Sequence, residues 1–246
     1  NAPVSSSPAI RETDADMDTY FNLNEFFGAF PPLLSKLPYT LGIVLVTLII
    51  ALILGTLLTV LYRTRKPVLM ALVTAYVWLL RGTPLLLLLF ISYYGIPLAL
   101  ESMGVVIDSS DPLIYAVVAF SMSLAAFYEE VMRAAFDAID QGQVEAAQSL
   151  AIPKFAYYQR ILIPQAIINS LPNLGNLIIT AIKQSSILFT IGIMDMYEKA
   201  NTLAADSYGL WQLEIFLALM LIYWGLAVIV DKAVDLAYHA NRRKAA

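Results

Sequence analysis

Between Gln141 and Pro164 the chain reads QGQVEAAQSLAIPKFAYYQRILIP, a polar island set between two long apolar segments. A connection of this length is usually either functional or disordered. This one has the composition of folded backbone, since Glu145, Ala146, Ala147, Gln148 and Leu150 are good helix formers. The spacing predicts a short helix, a break at Pro153, a second short helix through Tyr157 and Tyr158, and a stop at Pro164. From these residues alone an ordinary connector and a functional loop are equally good readings.

Working outward, the segments on either side decide the class. Of 246 residues, 59% are hydrophobic and 14% are charged, with several long uncharged runs, so the chain is an all-α integral membrane protein. No cysteine is present, which excludes disulfides, thiolate metal sites and a cysteine nucleophile, and the single His239 excludes a histidine-built metal site. No cofactor of its own and no nucleic-acid partner are expected.

The first span runs from Leu37 to Tyr62 without a charge, and Arg63, Arg65 and Lys66 follow at once, marking the cytoplasmic end. The acidic segment 1–36 therefore lies outside, flexible at least to Met17, which is either a native start or an internal residue. Val68 to Leu80 is too short to cross and is placed along the inner face, with Arg81 inside; the second span starts near Pro84, a first-turn proline, and runs to Leu100. An acidic outer link, Glu101 to Pro112, leads to a third span, Leu113 to about Val131, ending in Glu129, Glu130 and Arg133. The fourth crosses from about Ile168 to Phe189, an outer loop covers Asp195 to Ser207, and the fifth runs from Leu210 to Val230. The fold expected is five transmembrane helices, N-terminus out and C-terminus in, over 37–231, with a basic cytoplasmic tail, 232–246.

Three groups of side chains stand out. Lys183, with Gln184, Ser185 and Ser186, lies on span four, where an intramembrane lysine marks either a substrate path or a side chain snorkelling to the outer boundary. Asn169, Asn173 and Asn176 on the same span read as helix-to-helix hydrogen-bonding groups. Arg81 and Glu130, at the inner ends of spans two and three, read as a structural ion pair, because charges in this setting need partners.

The order Glu145-Ala146-Ala147, Ala151, Ile161, Ile163, Pro164 resembles the EAA signature of permease subunits of ATP-binding-cassette importers. That pattern has Gly where Ala151 stands and Leu where Ile163 stands. An alanine fits a turn there with negative φ, so a different turn geometry is expected. The string Arg81-Gly82-Thr83-Pro84-Leu85-Leu86, with Tyr93-Tyr94-Gly95-Ile96-Pro97, resembles more narrowly the polar amino acid uptake branch. Glu130-Val131-Met132-Arg133-Ala134 keeps part of that family's Ala-Glu-Ile-x-x-Arg-Gly, and Lys183 to Ser186 is similar to its Lys-x-x-Ser-Leu.

The resemblance implies a type I importer permease, a multi-pass protein of the bacterial cytoplasmic (inner) membrane. It implies cytoplasmic coupling helices within 137–164, where Gly142, Glu145, Ala146, Ala147, Ala151, Ile152, Pro153 and Pro164 meet an ATPase subunit. Two ATP-binding subunits, a second permease (the same chain or a close relative) and an extracytoplasmic solute-binding protein are implied as partners, with a polar amino acid as cargo. The chain has no G-x-x-x-x-G-K-[ST] loop, so ATP and Mg belong to the partner and no catalytic residue is expected here. Lys183, Gln184, Ser185, Ser186 and Tyr93 are the residues expected along the cargo path. A self-contained ion-coupled carrier or channel, using Lys183 with Glu129 or Glu130, is the alternative, and it leaves the polar island unexplained. An intramembrane enzyme lacks any paired acids, Ser/Lys dyad or metal cluster to support it.

Overall fold

The computed structural model describes residues 21–105 and 111–245, with side chains described as far as Asn241. The expected flexible leader through Met17, Asp108, and the side chains of the terminal basic cluster lie outside the described residues. Among the described residues every regular element is helical. The elements are α1 (Leu23–Arg63), α2 (Pro67–Gly82), α3 (Leu85–Phe90), α4 (Ile96–Ser102), α5 (Pro112–Asp137), α6 (Gln141–Ser149), α7 (Lys154–Tyr157), α8 (Ile163–Gln184), α9 (Met196–Asp206) and α10 (Gln212–Ala245). Among the described residues, five helical stretches are long and apolar enough to cross a membrane: Leu23–Arg63, Leu85–Ser102, Pro112–Asp137, Lys154–Ile191 and Gln212–Asn241. α2, at 16 residues, is not among them.

Helix α1 starts well before its apolar run. Asn22 caps it, its Oδ1 accepting from the N–H groups of Asn24 at 2.9 Å and Glu25 at 3.3 Å. The Asn22 N–H in turn donates to Glu214 Oε1 at 2.8 Å, tying the start of α1 to the start of α10. The expected outer loop Asp195 to Ser207 is largely helix α9. Asp195 supplies the missing signal: its Oδ1 accepts from the Glu198 N–H at 2.9 Å as an N-cap, ahead of a helix too polar to stand out by composition. Pro84 caps α3 from outside rather than occupying its first turn.

Helix α5 is the centre of the bundle. Its Phe120 and Leu124 are fully buried among Ile43 and Val44 of α1, Leu89 of α3, and Ala181 with Leu188 on the fourth span. Side chains in lipid gain little by leaving it for one another, so close approach and dispersion hold such helices together. Small residues allow that approach. A Cβ on Gly55 would meet the Tyr128 ring and lie 3.0 Å from the Ala125 carbonyl oxygen, and one on Gly175 would stand 2.9 Å from the methyls of Val234 on α10. A second cluster joins Ala29 and Leu33 of α1 to Met196 and Ala200 of α9 and Ala218 of α10, and a third lies beneath the polar island.

Two crossing segments contain π-turns, at Ile91–Gly95 and Tyr158–Leu162, and each ends on an Ile-Pro pair, Ile96-Pro97 and Ile163-Pro164. The expected stop at Pro164 is corrected accordingly: the chain passes from the π-turn straight into α8. The Ile163 N–H reaches back to the Tyr158 carbonyl, so the wider turn makes room for a proline that an unbroken α-helix would disfavour.

Candidate functional site

The polar island is two short helices joined by a tight turn. Asp140 opens α6, its Oδ1 accepting from the Gly142 N–H at 2.8 Å, a cap that an Asp ahead of helix formers signals in sequence. Ala147 is the residue of α6 that faces inward, packed with Ile139, Tyr157, Leu162 and Ala166. Gly142, Glu145, Ala146 and Gln148 are exposed, as are Ala151, Pro153 and Pro164, and Ile152 is half-buried. Leu150 and Phe155 are 74% and 77% exposed, two large apolar side chains projecting from a polar surface. Glu145 contributes a backbone anchor, its carbonyl accepting from Ser149 Oγ at 2.9 Å.

The turn between the two helices corrects the expectation for Ala151. Its φ is +51°, in the left-handed region, so the chain keeps the glycine-type turn with an alanine in it. Helix α6 closes through the Leu150 N–H to the Ala146 carbonyl and the Ile152 N–H to the Ala147 carbonyl, at 3.1 and 3.0 Å. Those bonds, with Ile152 packed on the cluster beneath, hold the strained residue in place.

Lys183, near the end of α8, is exposed to a cavity of about 520 Å³ between the C-terminal end of the fourth span, α9 and α10. Ser186 lines the same cavity and donates to the Lys183 carbonyl at 2.8 Å. The remaining wall is aromatic and apolar, including Tyr197, Phe216, Tyr223 and Trp224. Tyr197 packs between Phe189 and Phe216 with its ring tilted to both, ring centres 4.9 and 5.7 Å away. Tyr197 and Phe216 join this wall only in the fold, since they come from α9 and α10, apart from the span that carries Lys183. Three of the expected path residues are elsewhere: Ser185 is buried and donates to the Ile182 carbonyl at 2.8 Å, Gln184 is outside the lining, and Tyr93 packs against Tyr115 with ring centres 5.7 Å apart. Asn169, Asn173 and Asn176 are exposed.

Beside the cavity, Asp195 is wholly buried. Among the described residues its Oδ2 has no hydrogen-bond partner, and burial pushes the carboxyl from its ordinary 3.8 to about 6, with the backbone N–H groups of Glu198 and Tyr197 pulling the other way.

At the other end of the bundle Arg81 and Glu130 meet, with Arg81 Nη1 at 3.2 Å from Glu130 Oε2. Arg133 Nη2 holds the same oxygen at 2.6 Å, and Asp137 links Arg133 to Arg63 at 3.8 and 3.1 Å. Sequence reading paired two of these residues; the full chain of five emerges because α5 presents positions 130, 133 and 137 on one face.

Residues 51–242 match the family described as "Binding-protein-dependent transport system inner membrane component". The chain is 34% identical over 215 residues to the L-cystine transport system permease protein TcyL of Bacillus subtilis (strain 168), covering 87% of this chain and 89% of that one. It is 37% identical over 214 residues to the arginine transport system permease protein ArtQ of the same organism, covering 86% and 94%. Among solved structures it is similar to an amino acid ABC transporter crystallised with histidines, with a TM-score of 0.77, 27% identity and coverage of 89% and 98%. The inward-facing MetNI methionine ABC transporter shares the fold, with a TM-score of 0.69 at 21% identity over 85% and 96%.

Proposed function

The chain belongs to the binding-protein-dependent transport system inner membrane components, and from that premise we infer that it is the membrane-crossing permease subunit of an ABC importer for polar amino acids. The observation that carries the coupling mechanism is α6 with its turn and the start of α7: a folded, exposed surface that follows the third crossing segment and leads into the fourth, bearing Glu145, Leu150 and Phe155. Exposed apolar groups flanked by polar ones suit a protein partner. In this reading an ATP-binding subunit receives α6 and α7 as coupling helices, and ATP with Mg stays in that subunit. The polar island and the basic residues Arg63, Arg65 and Lys66 lie on the cytoplasmic side of a bacterial inner membrane.

Five crossing segments make half of a pathway, so a second permease, the same chain or a close relative, completes it, with two ATPase subunits below and a solute-binding protein outside. The cavity at Lys183 is the cargo site. The ammonium holds the carboxylate that every amino acid carries, and Tyr197, Phe216 and Trp224 pack its side chain. Arg81, Glu130 and Arg133 act as a brace near the coupling region rather than in recognition.

The deciding experiment co-expresses the chain with its ATPase and solute-binding partners and measures ATP hydrolysis against added amino acids. Stimulation by one amino acid is expected, and Glu145→Lys should cut the stimulated rate at least about tenfold by placing a like charge or a clash in the seat. Uptake by the chain alone, indifferent to ATP and to Glu145→Lys, would instead establish an ion-coupled carrier.

A further inference from the structure

A cavity of about 200 Å³ between α1, α2 and α5 has no part in the import cycle described above. Glu129 lines it, is 2% exposed, and among the described residues leaves Oε1 without a hydrogen-bond partner. A carboxylate withdrawn from water needs a cation or several donors beside it. The nearby guanidinium groups are engaged with the adjacent residue, since Arg81 and Arg133 both hold Glu130 Oε2 and Arg133 also reaches Asp137. The site thus offers an unsatisfied carboxyl oxygen, with Glu130 and an arginine with N–H groups to spare beside it, walled by Thr74 and Trp78.

A bare metal ion suits this arrangement poorly. The guanidinium groups repel it, and hard cations gather about six oxygen ligands, more than these residues supply. A ligand carrying an ammonium and an oxyanion in one molecule matches both signs. The ammonium meets Glu129 and the face of Trp78, and the oxyanion meets Arg133.

The mouth of the cavity selects the source of such a ligand. Trp78 stands there, 76% exposed, and the same helix exposes Val68, Leu72 and Leu79. Arg65 and Lys66 precede it. An exposed tryptophan, an apolar helix face and a basic flank together mark a membrane boundary. We propose that the Glu129 cavity binds the headgroup of an aminophospholipid of the phosphatidylethanolamine type, with the acyl chains lying along the apolar face of α2.

The test uses the full chain purified in mild detergent and equilibrated with equal amounts of dioleoyl phosphatidylethanolamine, phosphatidylglycerol and phosphatidylcholine, the retained lipid being read by native mass spectrometry. About a tenfold preference for phosphatidylethanolamine over phosphatidylcholine is expected, as for one charge-assisted hydrogen bond that a trimethylated ammonium cannot make. Successive N-methylation of the lipid should erode the preference stepwise in the unaltered chain, a measurement that requires no variant to fold. Glu129→Gln should abolish the preference without lowering the total lipid retained. Equal retention of the three headgroups, or a preference that survives Glu129→Gln, overturns the proposal. So does occupation by free glycine or ethanolamine with no lipid preference, which would give the cavity to a soluble ligand.

Discussion

Single residues carry three of the tests. Ala151 holds a left-handed backbone that costs an alanine about 1 kcal/mol more than a glycine. Ala151→Gly should therefore raise the thermal midpoint by roughly 2–4 °C, measurable by differential scanning fluorimetry of the purified chain. Resemblance pointed to this position but not to its geometry, because nothing local says whether a turn will bend to suit an alanine or the alanine will bear the strain. Asp195 has the opposite sign from an ordinary salt-bridged carboxylate. With its folded value at about 6 against an ordinary 3.8, the folded protein holds the proton more tightly, so this group's contribution to stability is fully present below about pH 4 and is lost as pH rises through 6. A shift of this size amounts to about 3 kcal/mol at neutral pH. Asp195→Asn keeps the cap to Glu198, so its melting curve should match the parent near pH 4 and lie above it at pH 7.5. Lys183→Met leaves the cavity's aromatic wall intact, and its half-saturating amino acid concentration in the assembled transporter should rise at least about tenfold if the ammonium holds the carboxylate.

At the scale of elements the close crossings dominate. Gly175→Ala forces a methyl onto Val234 and should destabilise the α8–α10 contact by about 1–3 kcal/mol, and Val234→Ala should recover part of that loss. Strict additivity of the two melting shifts would show that the helices slide apart instead. The apolar runs made the crossing segments readable, since hydrocarbon thickness imposes length and leaves composition little freedom. Helix ends were less readable. The first span grows toward Leu23 because Asn22 caps its terminal N–H groups and is itself held by Glu214, 192 residues away, and α9 hides in polar sequence with its cap supplied by a buried Asp195. The Lys183 cavity was half visible: the lysine and Ser186 are three residues apart in sequence, but Tyr197, Phe216 and Trp224 join them only through the folding of α9 and α10 against the fourth span.

For the molecule as a whole the decisive quantity is which end faces which solution. The absence of cysteine makes labelling direct. In intact cells Asp206→Cys should react with a membrane-impermeant maleimide, and Gln148→Cys only after permeabilisation; the reverse pattern would invert the orientation argued from Arg63, Arg65 and Lys66. The two π-turns bear on this same frame. Each contains one residue beyond what an α-helix needs for the same arc, and so each is a reserve of slack in the chain. Removing a residue within Tyr158–Leu162 together with Pro164→Ala, since plain helix has no room for that proline, lets the segment relax to plain helix with Tyr157 and Lys183 facing as before. Removing one within α8 instead swings Lys183 by about 100° about the helix axis, out of its aromatic enclosure. Along the crossing segments, length variation is therefore admitted at two points, Ile91–Gly95 and Tyr158–Leu162, and resisted elsewhere.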